Sequence, residues 1–194
     1  MTKKALFLDR DGVICHMVKY LDGFDSPQQV KDVILIQGIE NIIKYAQSKG
    51  LFVIEISNQP SVAKGKQTPQ KSAAIETKVH NLLSQVNVKI DSTYICPHHP
   101  QGVIPKLTIE CDCRKPKPGL LHKAADKFNI DLSKFLFLGD NASDVEAAKA
   151  AGCKSIVFIH NEDELWKLQK AKDAQADYKI KNLYELIRII EALN

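Results

Sequence analysis

Leu6-Phe7-Leu8 is an apolar run too short to be a helix, and it stops at two carboxylates one residue apart, Asp9 and Asp11, followed by Gly12 and Val13. Such a run reads as a strand buried on both faces, whose end delivers its polar residues to the rim of a sheet. Two acids that close repel each other. A cation between them relieves the repulsion, and magnesium held by carboxylates is suited to phosphate chemistry.

The alternation continues along the chain. Strands are expected at Ala5–Leu8, Leu51–Ile56, Ser92–Ile95, Phe135–Leu138, Ser155–Ile159 and near Tyr178–Ile180. Helices are expected at Ile39–Ser48, from Thr68-Pro69 to about Val86, at Pro118–Phe128 and Ser143–Ala151, near Glu162–Ala171, and at Leu183–Leu193. Alternating strands and helices predict an α/β fold, a doubly wound, mostly parallel sheet with helices on both faces. The 194 residues, without repeat or linker, fit a single domain over 1–194. Apolar residues at 44% and charged residues at 26% exclude a mainly disordered chain. The net charge of +4 comes from scattered lysines with no basic run among aromatics. A nucleic-acid partner is therefore not expected, whereas a small anionic substrate is. No secretory leader is visible and no segment approaches a membrane span, so a cytoplasmic location without a membrane partner is expected, as a monomer.

Ligands of such sheets bind beyond the carboxyl ends of the strands. That edge should gather Asp9 and Asp11, then Ser57 and Asn58, then Asp140 and Asp144. Phosphate ester hydrolysis needs a nucleophile, a proton for the leaving group and positive charge against the phosphoryl oxygens. Asp9 fits the nucleophile and Asp11 the general acid and base. A magnesium ion would take the carboxylates of Asp9 and Asp140 and the backbone carbonyl of Asp11. Asp144, one helical turn beyond Asp140, would bond metal-bound water or orient a neighbour. Ser57, with Asn58, would bind phosphate, and Lys115 would balance its charge. A calcium loop is a poor alternative, because Val13 and Tyr20 stand where it needs its third ligand and its glutamate.

Three of the five cysteines fall between Cys96 and Cys113, in a proline-rich loop, Cys96 to Lys117, with no helical period. In a reducing compartment that clustering favours metal over disulfides. Cys96, Cys111, Cys113 and a histidine, His98 or His99, make a closed tetrahedral zinc set of the structural kind. Zinc would staple the loop and fix the cations that follow it. Cys15 and Cys153 read as core thiols, His80 and His122 as surface or capping residues, and Glu55 as a carboxylate that pairs with a cation or faces solvent. Leu165, Trp166 and Leu168 read as one amphipathic helix face.

Asp9-Arg10-Asp11-Gly12, Ser57-Asn58-Gln59 and Gly139-Asp140-Asn141-x-x-Asp144 resemble the haloacid dehalogenase superfamily of phosphatases. Cys96-Pro97-His98-His99-Pro100-Gln101-Gly102 and Cys111-Asp112-Cys113-Arg114-Lys115-Pro116 are similar to its zinc-containing heptose bisphosphate phosphatases, relatives of the histidinol-phosphate phosphatases. The resemblance runs from Ala5 to about Gly152. It implies an aspartyl-phosphate mechanism, magnesium, a structural zinc with His98 as the ligand, and no large cap domain. It implies substrate recognition by Arg114 and by the loop around Lys19-Tyr20. The substrate so implied is a small phosphorylated sugar, a heptose 1,7-bisphosphate cleaved at its C7 phosphate. Histidinol phosphate and other small phosphosugars are the enzymatic alternatives, and a phosphosugar-binding pseudoenzyme the non-enzymatic one. Asn141 stands where such phosphatases usually carry lysine or arginine. His16-Met17-Val18-Lys19 and Gln59 to Lys64 also depart from the pattern, so the differences touch the substrate pocket and leave the acids intact.

Overall fold

The computed structural model describes residues 3–159, 169 and 173–192. The expected helix near Glu162–Ala171, with Leu165, Trp166 and Leu168, lies outside the described residues apart from Gln169. Eight strands are described: β1 Lys4–Leu8, β2 Val18–Tyr20, β3 Gly23–Asp25, β4 Leu51–Asn58, β5 Ser92–Cys96, β6 Leu136–Gly139, β7 Lys154–Phe158 and β8 Tyr178–Ile180. The helices are α1 Ile39–Ser48, α2 Pro69–Gln85, α3 Gly119–Phe128, α4 Ala142–Ala151 and α5 Glu185–Ala192. Six strands form one sheet in the order β5-β4-β1-β6-β7-β8, with every neighbouring pair parallel. The doubly wound expectation holds, and among the described residues no cap domain covers the sheet edge. The addition is β2–β3, an antiparallel hairpin directly after β1.

The period of two in β1 divides the core. Leu6 and Leu8 join Ile39, Ile42 and Ile43 of α1, Ile75 and Val79 of α2, and Leu186 and Ile190 of α5 on one face. Ala5 and Phe7 join Leu121 and Ala124 of α3 and Ala147 and Ala148 of α4 on the other. A strand buried on both faces has no polar position to offer until it ends. Past Lys4 at its start, the next polar residue, Asp9, therefore appears at the sheet edge. The helices start as their sequences direct: Thr68 Oγ1 accepts from Lys71 N (3.2 Å), with Pro69 opening α2.

Chain order places the edge. After β1 the chain builds β4 and β5 on one side, then returns to β6 on the other. Asp9 and Asp140 thus leave adjacent strands that diverge, which is where an open parallel sheet has its crevice. Leu8 pairs with Leu138, and Asp9 N–H donates to Leu138 O at 2.9 Å.

On the far side of the sheet one carboxylate ties β7 to the segment leading into β8. Asp177 accepts from Ser155 N (2.9 Å), Ser155 Oγ (2.8 Å) and Lys154 Nζ (2.9 Å). Burial opposes its ionisation, but the Ser155 N–H, Lys154 and the Ser155 hydroxyl outweigh it and bring its pKa down to about 2. A carboxyl group depressed by folding stabilises above its unfolded value and loses that contribution as pH falls toward the folded one. Asp177→Asn is expected to cost about 1–2 kcal/mol at neutral pH and to flatten the acid limb of stability. Urea unfolding between pH 7 and 3 checks it; equal losses at both ends would contradict the assignment.

Candidate active site and cysteine centre

The β1 strand ends in a turn that only glycine permits. Gly12 has φ +85°, and a Cβ there would collide with the Asp140 carboxylate. The Asp140 carboxylate therefore lies against the Gly12 backbone. A side chain at Gly139 would likewise strike Asp144. Asp9, Asp140 and Asp144 each offer a carboxylate oxygen within 4.8 Å of the others.

Lys115 is the counter-charge. It is only 3% exposed, with Nζ 2.9 Å from Asp9 Oδ1 and 2.7 Å from Asp144 Oδ1, and it donates to Ile56 O at 2.9 Å. Burial alone would lower its pKa, but Asp144 and Asp9 raise it, so it stays an ammonium. Asp144 does two jobs. Its Oδ2 accepts from the N–H groups of Asp140 (3.2 Å) and Asn141 (3.0 Å), closing a capping box at the start of α4, while Oδ1 holds Lys115. Asn141 is the N-cap of α4 and lines the cavity.

Asp9 and Asp11 are driven apart electrostatically. Burial raises the Asp9 pKa; Lys115 opposes it, Asp144 and Asp11 add to it, and the result is about 6. Burial also pushes on Asp11, but Arg10 and hydrogen bonds from Gln59, Arg10 and Ser26 hold it below the ordinary value. Gln59 Nε2 donates to Asp11 Oδ2 at 2.5 Å, Ser26 Oγ at 2.8 Å, and Arg10 Nη2 lies 3.1 Å from it. Sequence reasoning missed Gln59 and Ser26. Gln59 lies two residues beyond Ser57 in the motif and was within reach; Ser26 comes from the hairpin and carried no signal.

A cavity of about 190 Å³ is lined by Asp9, Asp11, Asp140, Asp144, Arg114 and Lys115, with Ser26, Asn58 and Asn141 among the rest. Four residues expected at the substrate, Ser57, Asn58, Lys19 and Tyr20, are held by protein partners. Ser57 is 1% exposed and outside that lining; its Oγ accepts from Gln59 at 3.0 Å, which turns Gln59 toward Asp11. Asn58 commits both ends of its amide to the Lys115 backbone, donating to its carbonyl (3.0 Å) and accepting from its N–H (3.1 Å). It thus positions the lysine while lining the cavity itself. Lys19 and Tyr20 lie on β2, away from the lining. The Tyr20 hydroxyl accepts from Gln28 N (2.9 Å) and donates to Asp32 (3.3 Å), while Lys19 rests over the Phe24 ring. The strand alternation and the short connection between β2 and β3 instead bring Asp25 and Ser26 to the cavity. Lys66 ties this hairpin to the loop after β4 through Asp25 at 2.6 Å.

The cysteine loop folds as a knot of four donors. Cys113 Sγ is 3.1 Å from Cys111 Sγ and 3.2 Å from Cys96 Sγ, and His98 Nδ1 is 3.3 Å from Cys113 Sγ. Burial pushes the Cys96 thiol well up. Three thiols and an imidazole in van der Waals contact are a metal-binding set, since a zinc ion displaces the protons that burial favours. His98, not His99, completes it; His99 Nδ1 accepts from Gln101 N at 3.1 Å. Arg114 follows Cys113 and donates to His98 O at 3.2 Å. Lys64, Arg114 and His99 share this rim: burial lowers the Lys64 pKa and Lys66 and Arg114 add to the effect, and burial with Lys64 and Arg114 lowers that of His99.

The HAD-hydrolase-like family model matches residues 112–186. The D-glycero-beta-D-manno-heptose-1,7-bisphosphate 7-phosphatase of Vibrio cholerae is 34% identical over 159 residues, 82% of each chain. The D-glycero-alpha-D-manno-heptose-1,7-bisphosphate 7-phosphatase of Photorhabdus laumondii is 34% identical over 149 residues, 77% of this chain and 78% of that one. Among solved structures, the D,D-heptose 1,7-bisphosphate phosphatase from B. bronchiseptica complexed with magnesium and phosphate shares this fold. Its TM-score is 0.81 at 24% identity, covering 98% of this chain and 99% of that one.

Proposed function

This chain belongs to the haloacid dehalogenase-like family of heptose bisphosphate phosphatases, and on that premise we propose that it is a magnesium-dependent phosphomonoesterase that removes the C7 phosphate of a heptose 1,7-bisphosphate. The observation that carries the reading is the Asp9–Lys115–Asp144 triad beside Asp140, with Asp11 fixed across the same cavity.

Asp9 attacks phosphorus along the line of the leaving oxygen and becomes an aspartyl-phosphate. Lys115, anchored to Asp144 and Ile56 O, balances charge on Asp9 and on the transferring group. Asp11 delivers a proton to the departing sugar oxygen, then takes one from the water that resolves the acyl phosphate. In the free protein Asp11 is a carboxylate, the form needed for the second step. An arriving phosphate dianion raises its proton affinity for the first. The Asp9 and Asp140 carboxylates and the Asp11 backbone carbonyl would hold a magnesium ion, which when bound supplies positive charge against the phosphoryl oxygens. The Gly12 cradle and the clustered carboxylates fit that cation. Arg114 and Lys64 on the zinc-loop rim supply positive charge for a second phosphate.

Phosphate release from both anomers of heptose 1,7-bisphosphate, from heptose 7-phosphate and from histidinol phosphate tests the reading. The bisphosphates should show the highest kcat/KM; equal or higher values for histidinol phosphate would overturn it, as would binding without turnover in magnesium.

The Asp9 pKa of about 6 yields a second expectation. Its native value stands above its unfolded one, so stability is lost as pH rises between the two, and a bound cation relieves the cost. Apparent magnesium affinity should then fall about tenfold per pH unit below that midpoint, because the ligand must first lose a proton. Calorimetric titration on either side of the midpoint checks it; affinity independent of pH would contradict the arrangement.

A further inference from the structure

Behind the catalytic edge a second polar cluster lies between α2 and the sheet. Glu76 and His80 are four residues apart on α2, so they share a face. Glu55 on β4 pairs in register with Thr93 on β5, directly under that face. The four donors converge. His80 Nε2 is 2.8 Å from Glu76 Oε1, 3.3 Å from Thr93 Oγ1 and 4.0 Å from Glu55 Oε2, and Thr93 Oγ1 is 3.4 Å from Glu55 Oε2.

Charge does not balance there. Arg10 is the neighbouring cation, with Nη1 2.8 Å from Glu76 Oε2 and Nη2 3.1 Å from Asp11 Oδ2. It already serves two carboxylates and makes no hydrogen bond to the third, Glu55. The Glu55 side chain is completely buried, and its Oε1 has no protein partner. Burial, and next the charge of Glu76, drive its pKa well up. Such a carboxyl stays neutral unless a cation joins it, and a cation held by Glu55 and Glu76 would let it ionise and occupy its orphaned oxygen. His80 is 37% exposed, so the cluster opens to solvent on one side.

We propose that Glu55, Glu76 and His80 form a second metal centre, a site for a divalent transition-metal ion separate from both the cysteine knot and the Asp9–Asp140 pocket. One imidazole and two carboxylates, with the Thr93 hydroxyl beside them, suit zinc or manganese better than magnesium, because imidazole is a poor magnesium ligand. Glu76 bridges the ion and Arg10, so the ion would stiffen the grip of Arg10 on Asp11 from behind.

Zinc is the probe. The full-length protein, saturated with magnesium to occupy the Asp9–Asp140 pocket, is equilibrated with zinc and dialysed. Metal is then counted per chain for wild type, His80→Ala and Glu55→Gln, and crystals are measured at the zinc edge. The wild type should hold two zinc ions and each variant one, with anomalous density between Glu55, Glu76 and His80 only in the wild type. His80 is at the surface, so its variant keeps the test valid if Glu55→Gln does not fold. One zinc in the wild type would overturn the proposal, and so would a second zinc that survives His80→Ala. A second zinc whose density lies away from Glu55, Glu76 and His80 would do the same.

Discussion

Asp9→Asn is expected to abolish turnover, lowering kcat by about 10⁴-fold or more, because no neighbouring group can form the acyl phosphate in its place. Asp11 is pinned by Arg10, Gln59 and Ser26, and Asp144 is tied to Lys115 and the start of α4. Asparagine keeps the size of the side chain, and Lys115 keeps Asp144 and Ile56 O as partners, so the fold should survive. The loss would then be chemical. Two measurements separate this from a damaged pocket. Substrate binding by Asp9→Asn should stay within about tenfold of wild type, since the lost carboxylate also removes repulsion of an incoming phosphate. Mass spectrometry of rapidly quenched wild-type reactions should show a transient gain of one phosphoryl group on the peptide containing Asp9, absent in the variant. Turnover near the wild-type rate in Asp9→Asn would remove the nucleophile from the scheme.

What the sequence made legible follows from which forces act locally. Asp9 and Asp140 could be placed together because Ala5–Leu8 and Phe135–Leu138 read as buried strands, and parallel strands share one carboxyl edge. The cysteine knot was equally readable, since Cys96-x-His98 and Cys111-x-Cys113 carry their chemistry in their spacing. The hairpin β2–β3 was not, because three-residue strands carry too little periodicity to stand out. Without it the sequence does not show which residues of the segment around Lys19 and Tyr20 reach the cavity, Ser26 among them. Ser57 and Asn58 show a different limit. They were located correctly, at the end of β4, but which atoms they face depends on Gln59 and Lys115, which arrive from elsewhere along the chain. Glu55 reads from sequence as pairing with a cation or facing solvent; its complete burial removes the second alternative, and the docking of α2, with Glu76 and His80 one turn apart, gives it a polar buried setting.

The zinc-loop cations are aimed by residues on either side of one peptide, and this makes the cysteine knot the second sensitive point. Lys115 is two residues beyond Cys113, and its backbone is gripped by Asn58 through both N–H and carbonyl. The knot and Asn58 thus clamp the segment from opposite ends, with Arg114 between them on His98 O. Cys113→Ser removes the thiolate closest to all three other donors. The variant is expected to lose its cysteine-bound zinc and to melt about 10 °C lower, as a loss of about 3 kcal/mol or more would produce in a domain of this size. Its sheet should persist by far-UV circular dichroism, because neither core face draws on the loop beyond Cys96, Cys111 and Cys113. Activity should fall at least about tenfold through kcat, since a displaced Lys115 leaves charge on Asp9 uncompensated as the phosphoryl group moves. His99→Ala, beside the knot but outside it, should keep metal, melting temperature and kcat. A Cys113→Ser protein with full kcat would show that Asn58 alone holds Lys115, and a His99→Ala protein that loses zinc would reassign the fourth ligand.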